Sequence, residues 1–226
     1  MALAVQTDYF GLADTALVLI SSTENRSAQN VETPNERGDI ISRDVFGESF
    51  APSCEYKLQE DLSKAISLGN VSTVGTEKVV LTKLSIKTGA GKEPQISASG
   101  ESIQDAGTAT STVALGTVVC SVRHKAQILG TAFTLSGTGC VLNECGIDYE
   151  AAITKTEKNG VVLVHDMSAG KATVQATILQ TGSTKPSVTA AEGWDITSPL
   201  TESDPDSNVA SWTVTLTKSF AGTDPV

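Results

Sequence analysis

Residues 147–166 read IDYEAAITKTEKNGVVLVHD. Ile147, Tyr149, Ala151 and Ile153 recur at every second position, so in an extended chain their side chains fall on one face. Asn159-Gly160 follows, the pair that tolerates positive φ at a two-residue hairpin turn. Val161 to Asp166 then reads as the return strand. The same alternation marks Val79–Ile86, Ser111–Val122, Ala172–Leu179 and Ala210–Leu216. In the last of these Trp212, Val214 and Leu216 point one way and Thr213, Thr215 and Thr217 the other. Half-apolar strands separated by turn residues predict a sandwich or barrel, in which each strand buries one side against a second layer.

Composition agrees. Thr, Ser, Ala, Val and Gly dominate and aromatics make up 4% of the chain, a mixture that suits strands and tight turns better than helices. One segment departs from it. LQEDLSKAISLG (58–69) spaces Leu58, Leu62, Ala65 and Ile66 as on a helix, with Gly69 placed to end it, and predicts a short helix. Ser21–Arg43 is polar and aperiodic, and is expected to be an extended arm or long loop outside the core.

TGAGKEPQISASGESI (88–103) and TGSTKPSVTAAEGWDI (181–196) are near copies 93 positions apart. The same offset sets GTEKVVLTKLSIKTG (75–89) over SAGKATVQATILQTG (168–182), and Tyr56 over Tyr149. A constant offset over such a span predicts internal duplication. The fold class expected is therefore all-β in the main: two tandem similar β-sandwich or β-barrel domains with at most one short helix each. The divisions are 1–34, an N-terminal segment and arm; 35–125, the first β-domain; and 126–226, the second. A chain of 226 residues is long enough for each to bury a core.

Sixteen basic residues against 26 acidic ones leave a formal net charge of −10. Such a surface repels nucleic acid and anionic lipid, so neither sequence-specific nucleic-acid binding nor a membrane is expected. The apolar run Ala16–Ile20 is short, with Asp8 and Asp14 before it and no Lys or Arg ahead. It reads as neither signal peptide nor membrane span, and synthesis in a cytoplasm is expected. Cys54, Cys120, Cys140 and Cys145 are then expected to be thiols, mostly buried. Cys140 and Cys145 stand at the edge of zinc spacing, but His124 and His165 give no matching pair.

No catalytic set emerges. Neither histidine lies near a nucleophile elbow. GAGK (89–92) lacks the strand–loop–helix frame of a phosphate loop, and Glu93-Pro94 follows it. DPDSN (204–208) has carboxylates at calcium-loop spacing, but Val209 stands where glycine is required. Arg37-Gly38-Asp39 is too short to identify a receptor ligand. The chain is expected to be non-enzymatic, with no cofactor and no metal.

A chain with no targeting signal, two similar β-units and a polar arm near its start resembles the virion structural proteins of tailed phages. The duplicated layout is similar to tail-tube proteins that carry two barrels per chain. That resemblance implies stacked rings, with the chain itself and other virion proteins as partners, and the virion as its location. It implies inter-subunit contacts in the arm, at Asn35, Arg37, Asp39, Arg43, Phe46 and Phe50, and in the loop Thr197–Asn208, at Asp204 and Asp206. A capsid decoration protein with tandem immunoglobulin-like domains reads almost the same. A carbohydrate-binding or adhesive module is the other alternative, and would require an exposed aromatic such as Trp194.

Overall fold

A computed structural model of the chain describes residues 8–89, 93–103, 113–120, 132–158, 161–202 and 209–221. These form thirteen strands: β1 (Leu17–Pro34), β2 (Ile40–Leu58), β3 (Leu62–Leu68), β4 (Val71–Val74), β5 (Glu77–Thr88), β6 (Gln95–Ser102), β7 (Val113–Cys120), β8 (Phe133–Ser136), β9 (Cys140–Lys158), β10 (Val161–Gln180), β11 (Ser187–Ala190), β12 (Asp195–Glu202) and β13 (Ala210–Ala221). The all-β expectation holds, and no helix occurs among the described residues.

The segment expected to be helical is strand β3. Leu62, Ile66 and Leu68 are buried while Ala65 is exposed. The two-residue period holds through β3, with half-buried Lys64 between Leu62 and Ile66 on the inward face; the extra residue of the irregular step opposite Ala65–Ser67 belongs to β7. Because Lys64 takes the inward position between them, the apolar residues Leu62 and Ile66 stand four positions apart, which imitates a helical spacing. Gly69 does end the element, but as the left-handed residue of a β-turn (φ 89°), its amide donating to the Leu81 carbonyl at 2.8 Å.

Most strands belong to one antiparallel sheet ordered β1-β2-β6-β5-β9-β10-β13-β12, with β4 added on β5. Two small sheets, β3–β7 and β8–β11, lie off it. The quoted hairpin is β9–β10, with Lys158 paired to Val161. The alternation in β13 is as expected: Trp212, Val214 and Leu216 are buried, and Thr213, Thr215 and Thr217 are not.

One face of the large sheet is apolar and carries the core, including Tyr56, Ile96, Leu84, Ile86, Ile147 and Ile178. Residues of β3, β7 and β8 and the segment Tyr9–Leu12 complete that core. Phe10 lies so close over Gly100 that a Cβ there would sit 2.3 Å from its ring. The other face is polar, with Ser53, Glu55, Ser97, Ser99, Ser85 and Thr173 in cross-strand register.

Two ionisable groups inside this core are strongly displaced by it. Burial pushes the Cys54 thiol up from 9.0 to about 12. It likewise pushes the Tyr56 phenol up from 10.0 to about 12, although the Tyr9 amide donates to the phenol oxygen at 3.0 Å. Both groups stay protonated in the fold after the unfolded chain has released them. Their contribution is therefore whole below about pH 9 and is lost as pH rises toward 12. The unfolding free energy is expected to be level from pH 7 to about 8.5 and then to fall, by up to ~1.4 kcal/mol per pH unit for each group. Unfolding curves of the native chain and of Tyr56→Phe, recorded between pH 8 and 11, check this. The variant should show the shallower decline.

Candidate assembly interface

β1 and β2 run on as a two-stranded ribbon well beyond the sheet. β6 pairs with β2 only from Ser53 to Lys57, whereas β1 stays paired with β2 up to Pro34 opposite Ile40. One bridge, between Glu48 of β2 and Val161 of β10, still ties the ribbon to the sheet; beyond it, at about 3.3 Å per residue, the stretch from Gln29 to Pro34 carries the tip roughly 17 Å out. An arm or loop is the expectation from sequence for this region; the residues are exposed, but they are paired strand. Polar, aperiodic sequence is what a ribbon without a buried face requires, because neither face selects for apolar side chains.

The ribbon's foot is fastened. The Arg26 guanidinium stacks 4.4 Å above the Phe50 ring and pairs with Glu77 at 3.5 Å. Phe50 is only 4% exposed. Its ring packs within the chain. Asn35 shapes the tip: its side-chain oxygen accepts from the amides of Arg37 (2.8 Å) and Asp39 (2.9 Å), and Gly38 takes φ 85°. That leaves the Arg37 and Asp39 side chains exposed at the far end. Arg43 pairs across the ribbon with Glu32 at 3.0 Å. Phe46 is exposed on the face it shares with Val31, and Ile41, 65% exposed, lies on the opposite one. A protruding ribbon with apolar side chains on both faces offers contact area and has no core of its own. Asp204 and Asp206 lie outside the described residues.

The segment Thr197–Glu202, expected to be loop, is edge strand β12, paired with β13 through two irregular steps. Pro199 is tolerated there because an edge strand leaves one side without a ladder to interrupt. Among the described residues β1 and β12 are the two ends of the large sheet.

At the middle of that sheet β5 meets β9. Six residue pairs run from Lys83 opposite Glu150 to Thr88 opposite Cys145. On the polar face Lys83 pairs with Glu150 at 2.6 Å, Asp148 accepts from the Ser85 hydroxyl, and Lys87 reaches Asp148 at 3.9 Å. On the apolar face Ile86 meets Ile147. Exposed ion pairs add little stability, but opposite charges set directly across a joint disfavour other registers.

The strands on either side of this joint repeat each other in detail. β1-β2-β6-β5 and β9-β10-β13-β12 are the same arrangement of two hairpins. One extra residue bulges β1 at Ile20 and β9 at Asn143, between equivalent pairings: Leu19 with Tyr56 and Leu142 with Ile178. A second bulge falls at Thr82 in β5 and Thr197 in β12. The Thr82 hydroxyl donates to the Ser99 carbonyl at 3.2 Å and the Thr197 hydroxyl to the Thr215 carbonyl at 3.4 Å. Ser99 and Thr215 each pair with the residue after the bulge, Lys83 and Ser198. Bulges mark deliberate changes in a ladder, so matched ones are stronger signs of kinship than matched turns. The 93-residue offset aligns different elements: it sets β2 on β9, although β2 lies between β1 and β6 while β9 lies between β5 and β10.

Two open troughs of about 530 and 600 Å³ cross the polar face. The larger is lined from five neighbouring strands, by Thr23, Glu55, Ser99, Lys83 and Asp148 among others, so the sheet hollows toward its polar side. Hydroxyls and lysine–carboxylate pairs line these troughs. No cluster of three or more His, Cys, Asp or Glu residues able to hold a metal occurs among the described residues. Both tryptophans are buried, Trp194 at 8% and Trp212 at 5% exposure. Neither offers the open ring face on which a sugar stacks.

No protein-family model matches the chain, and no curated protein matches it in sequence. Among the described residues no helix is long and apolar enough to cross a membrane.

Proposed function

We propose that this chain is a non-enzymatic virion structural protein, a ring-forming subunit of a phage tail tube built from two tandem copies of one β-unit. The observation that carries the reading is the β5–β9 joint. It joins two units of the same strand order edge to edge, and β1 and β12 are left as the edges of the same two kinds. A joint already made once within the chain can be made again between chains, and heterologous contacts of this sort close into rings when the rotation allows. Closure also removes exposed strand edges, which otherwise invite aggregation.

The two sides of the sheet support the same role. The apolar side is covered by small sheets of the chain itself, and the hollowed polar side faces away from the core. On that side Lys57, Lys83 and Lys87 each have a carboxylate partner, in Glu93, Glu150 and Asp148. A wall of hydroxyls and neutralised lysines makes no strong phosphate contacts, as a DNA conduit requires. The ribbon supplies a projecting element long enough to reach a neighbouring ring. Buried tryptophans weigh against the carbohydrate-binding alternative.

Negative-stain electron microscopy of the purified protein, with its mass by light scattering, tests the reading. Rings or stacked tubes are expected. Monomeric particles at every concentration would sink it and leave head decoration as the better description.

A further inference from the structure

We propose that β12 of one chain pairs antiparallel with β1 of a second copy, in the register that sets Thr201 opposite Asn25 and Ser198 opposite Ser27. The inference rests on the assembly reading above and names the contact by which assembly proceeds.

The register follows from the matched bulges. In β5, Lys83 and Ser85 pair with Ser99 and Ser97. In β12, Ser198 and Thr201 pair with Thr215 and Thr213, which hold the same places in β13. Ser198 therefore stands for Lys83, and Thr201 for Ser85. In β9, Asp148 and Glu150 pair with Thr173 and Lys171. In β1, Asn25 and Ser27 pair with Ala51 and Ser49. From the bulges at Ile20 and Asn143 onward the ladders run in step through these residues, so Asn25 stands for Asp148 and Ser27 for Glu150. At the internal joint Lys83 faces Glu150 and Ser85 faces Asp148; between copies Ser198 faces Ser27 and Thr201 faces Asn25. Strand directions alternate along the whole order, so a β1 strand arriving beside β12 is antiparallel to it, as β9 is to β5.

The chemistry of the two joints differs. The ion pair Lys83–Glu150 becomes Ser198 and Ser27, and the hydrogen-bonded pair Ser85–Asp148 becomes Thr201 and Asn25, at the external joint. The apolar pair changes more: Ile86 and Ile147 correspond to Glu202 and Glu24, because Ile86 pairs with Ile96 as Glu202 pairs with Trp212, and Ile147 with Val174 as Glu24 with Pro52. Like charges opposite each other weaken a strand pair. The joint between copies is thus the weaker one, held apart by two carboxylates in solution and closed where many joints form together.

Mixing two single variants tests this, because neither can form the expected bond alone. Asn25→Cys and Thr201→Cys each change an exposed side chain. Mixed and mildly oxidised, they should give a disulfide-linked heterodimer, identified by peptide mass. Asn25→Cys mixed with Ser198→Cys, out of register, should give much less. Adding Glu202→Gln should lower the concentration needed for cross-linking about two- to five-fold. Rings that form without a disulfide between positions 25 and 201 would overturn the register and leave the assembly reading standing. A specific link without rings would uphold the joint and sink the tube. Equal yields in and out of register, or no link and no rings, would overturn the proposal.

Discussion

Replacing residues 28–48 by Asn-Gly, which joins Ser27 directly to its cross-strand partner Ser49, leaves a folded protein whose rings no longer stack into tubes. Ser27 and Ser49 already face each other, their hydroxyls 2.7 Å apart, so a two-residue turn fits there without moving either strand. Every described side chain removed is exposed or half-buried. Outside the ribbon itself, the one ladder pairing removed is the bridge between Val161 and Glu48. The foot of the ribbon, with Arg26 over Phe50, remains. The thermal midpoint should therefore stay within ~3 °C of the native value, because exposed positions contribute within about 0.5 kcal/mol each and the shorter loop offsets part of the cost. Stacking should fail because Val31, Ile40, Ile41 and Phe46, the ribbon's exposed apolar side chains, go with it, while the β1 edge at Asn25 and Ser27 stays in place. Calorimetry and electron microscopy of the same preparation separate the two effects. Normal tubes from the shortened chain would remove the ribbon from the interface.

Trp212→Ala is expected to be the most damaging single substitution for stability. The ring fills the end of the core beneath β13, and its indole N–H donates to Gln180 Oε1 at 2.8 Å. Lys185 lies 4.7 Å above the ring and closes the site from outside. Truncation removes a large buried surface and also leaves the buried Gln180 amide without its donor. Losses of this kind cost about 4 kcal/mol, which lowers the thermal midpoint of a chain this long by roughly 8–16 °C. Trp212→Phe keeps most of the packing and loses the hydrogen bond, so a cost of about 1–2 kcal/mol is expected. Urea unfolding of the two variants checks both figures. Similar costs for Phe and Ala would mean that the hydrogen bond, and not the ring, carries the effect.

Strand existence is readable wherever one face is buried. In β13 the Trp212-Val214-Leu216 alternation is a direct record of a half-buried strand, and the Lys158–Val161 pairing that joins β9 to β10 falls where the Asn-Gly pair predicts a hairpin. Reading fails where a polar residue takes an inward position or the ladder is irregular. Lys64, on the inward side between them, makes Leu62 and Ile66 look helical, and the irregular steps of β12, together with Pro199, make an edge strand look like a loop. The arm is legible as something outside the core but not as paired strand, since two exposed faces leave no periodicity to detect. Arg37 and Asp39 stand exposed at its tip, as their polar surroundings in the sequence suggest. Phe50 sits in equally polar company, and its burial depends on Arg26 lying above it, which the residue string does not show.

The repeat is the plainest case. TG-containing turns recur 93 residues apart because few residue types serve a tight turn between strands, and they recur between elements that occupy different places in the sheet. The matched bulges at Thr82 and Thr197 leave almost no trace in the residue string, because a bulge is defined by what lies opposite it.

Local chemistry thus decided that this chain is mainly β and which side chains face inward along its regular, half-buried strands. Neighbours were decided only in three dimensions. β5 lies beside β9, and β1 and β12 are left as open edges, because backbone hydrogen bonding is blind to side-chain identity. Strand order is selected by the burial of whole faces together, a quantity that no short stretch of sequence contains.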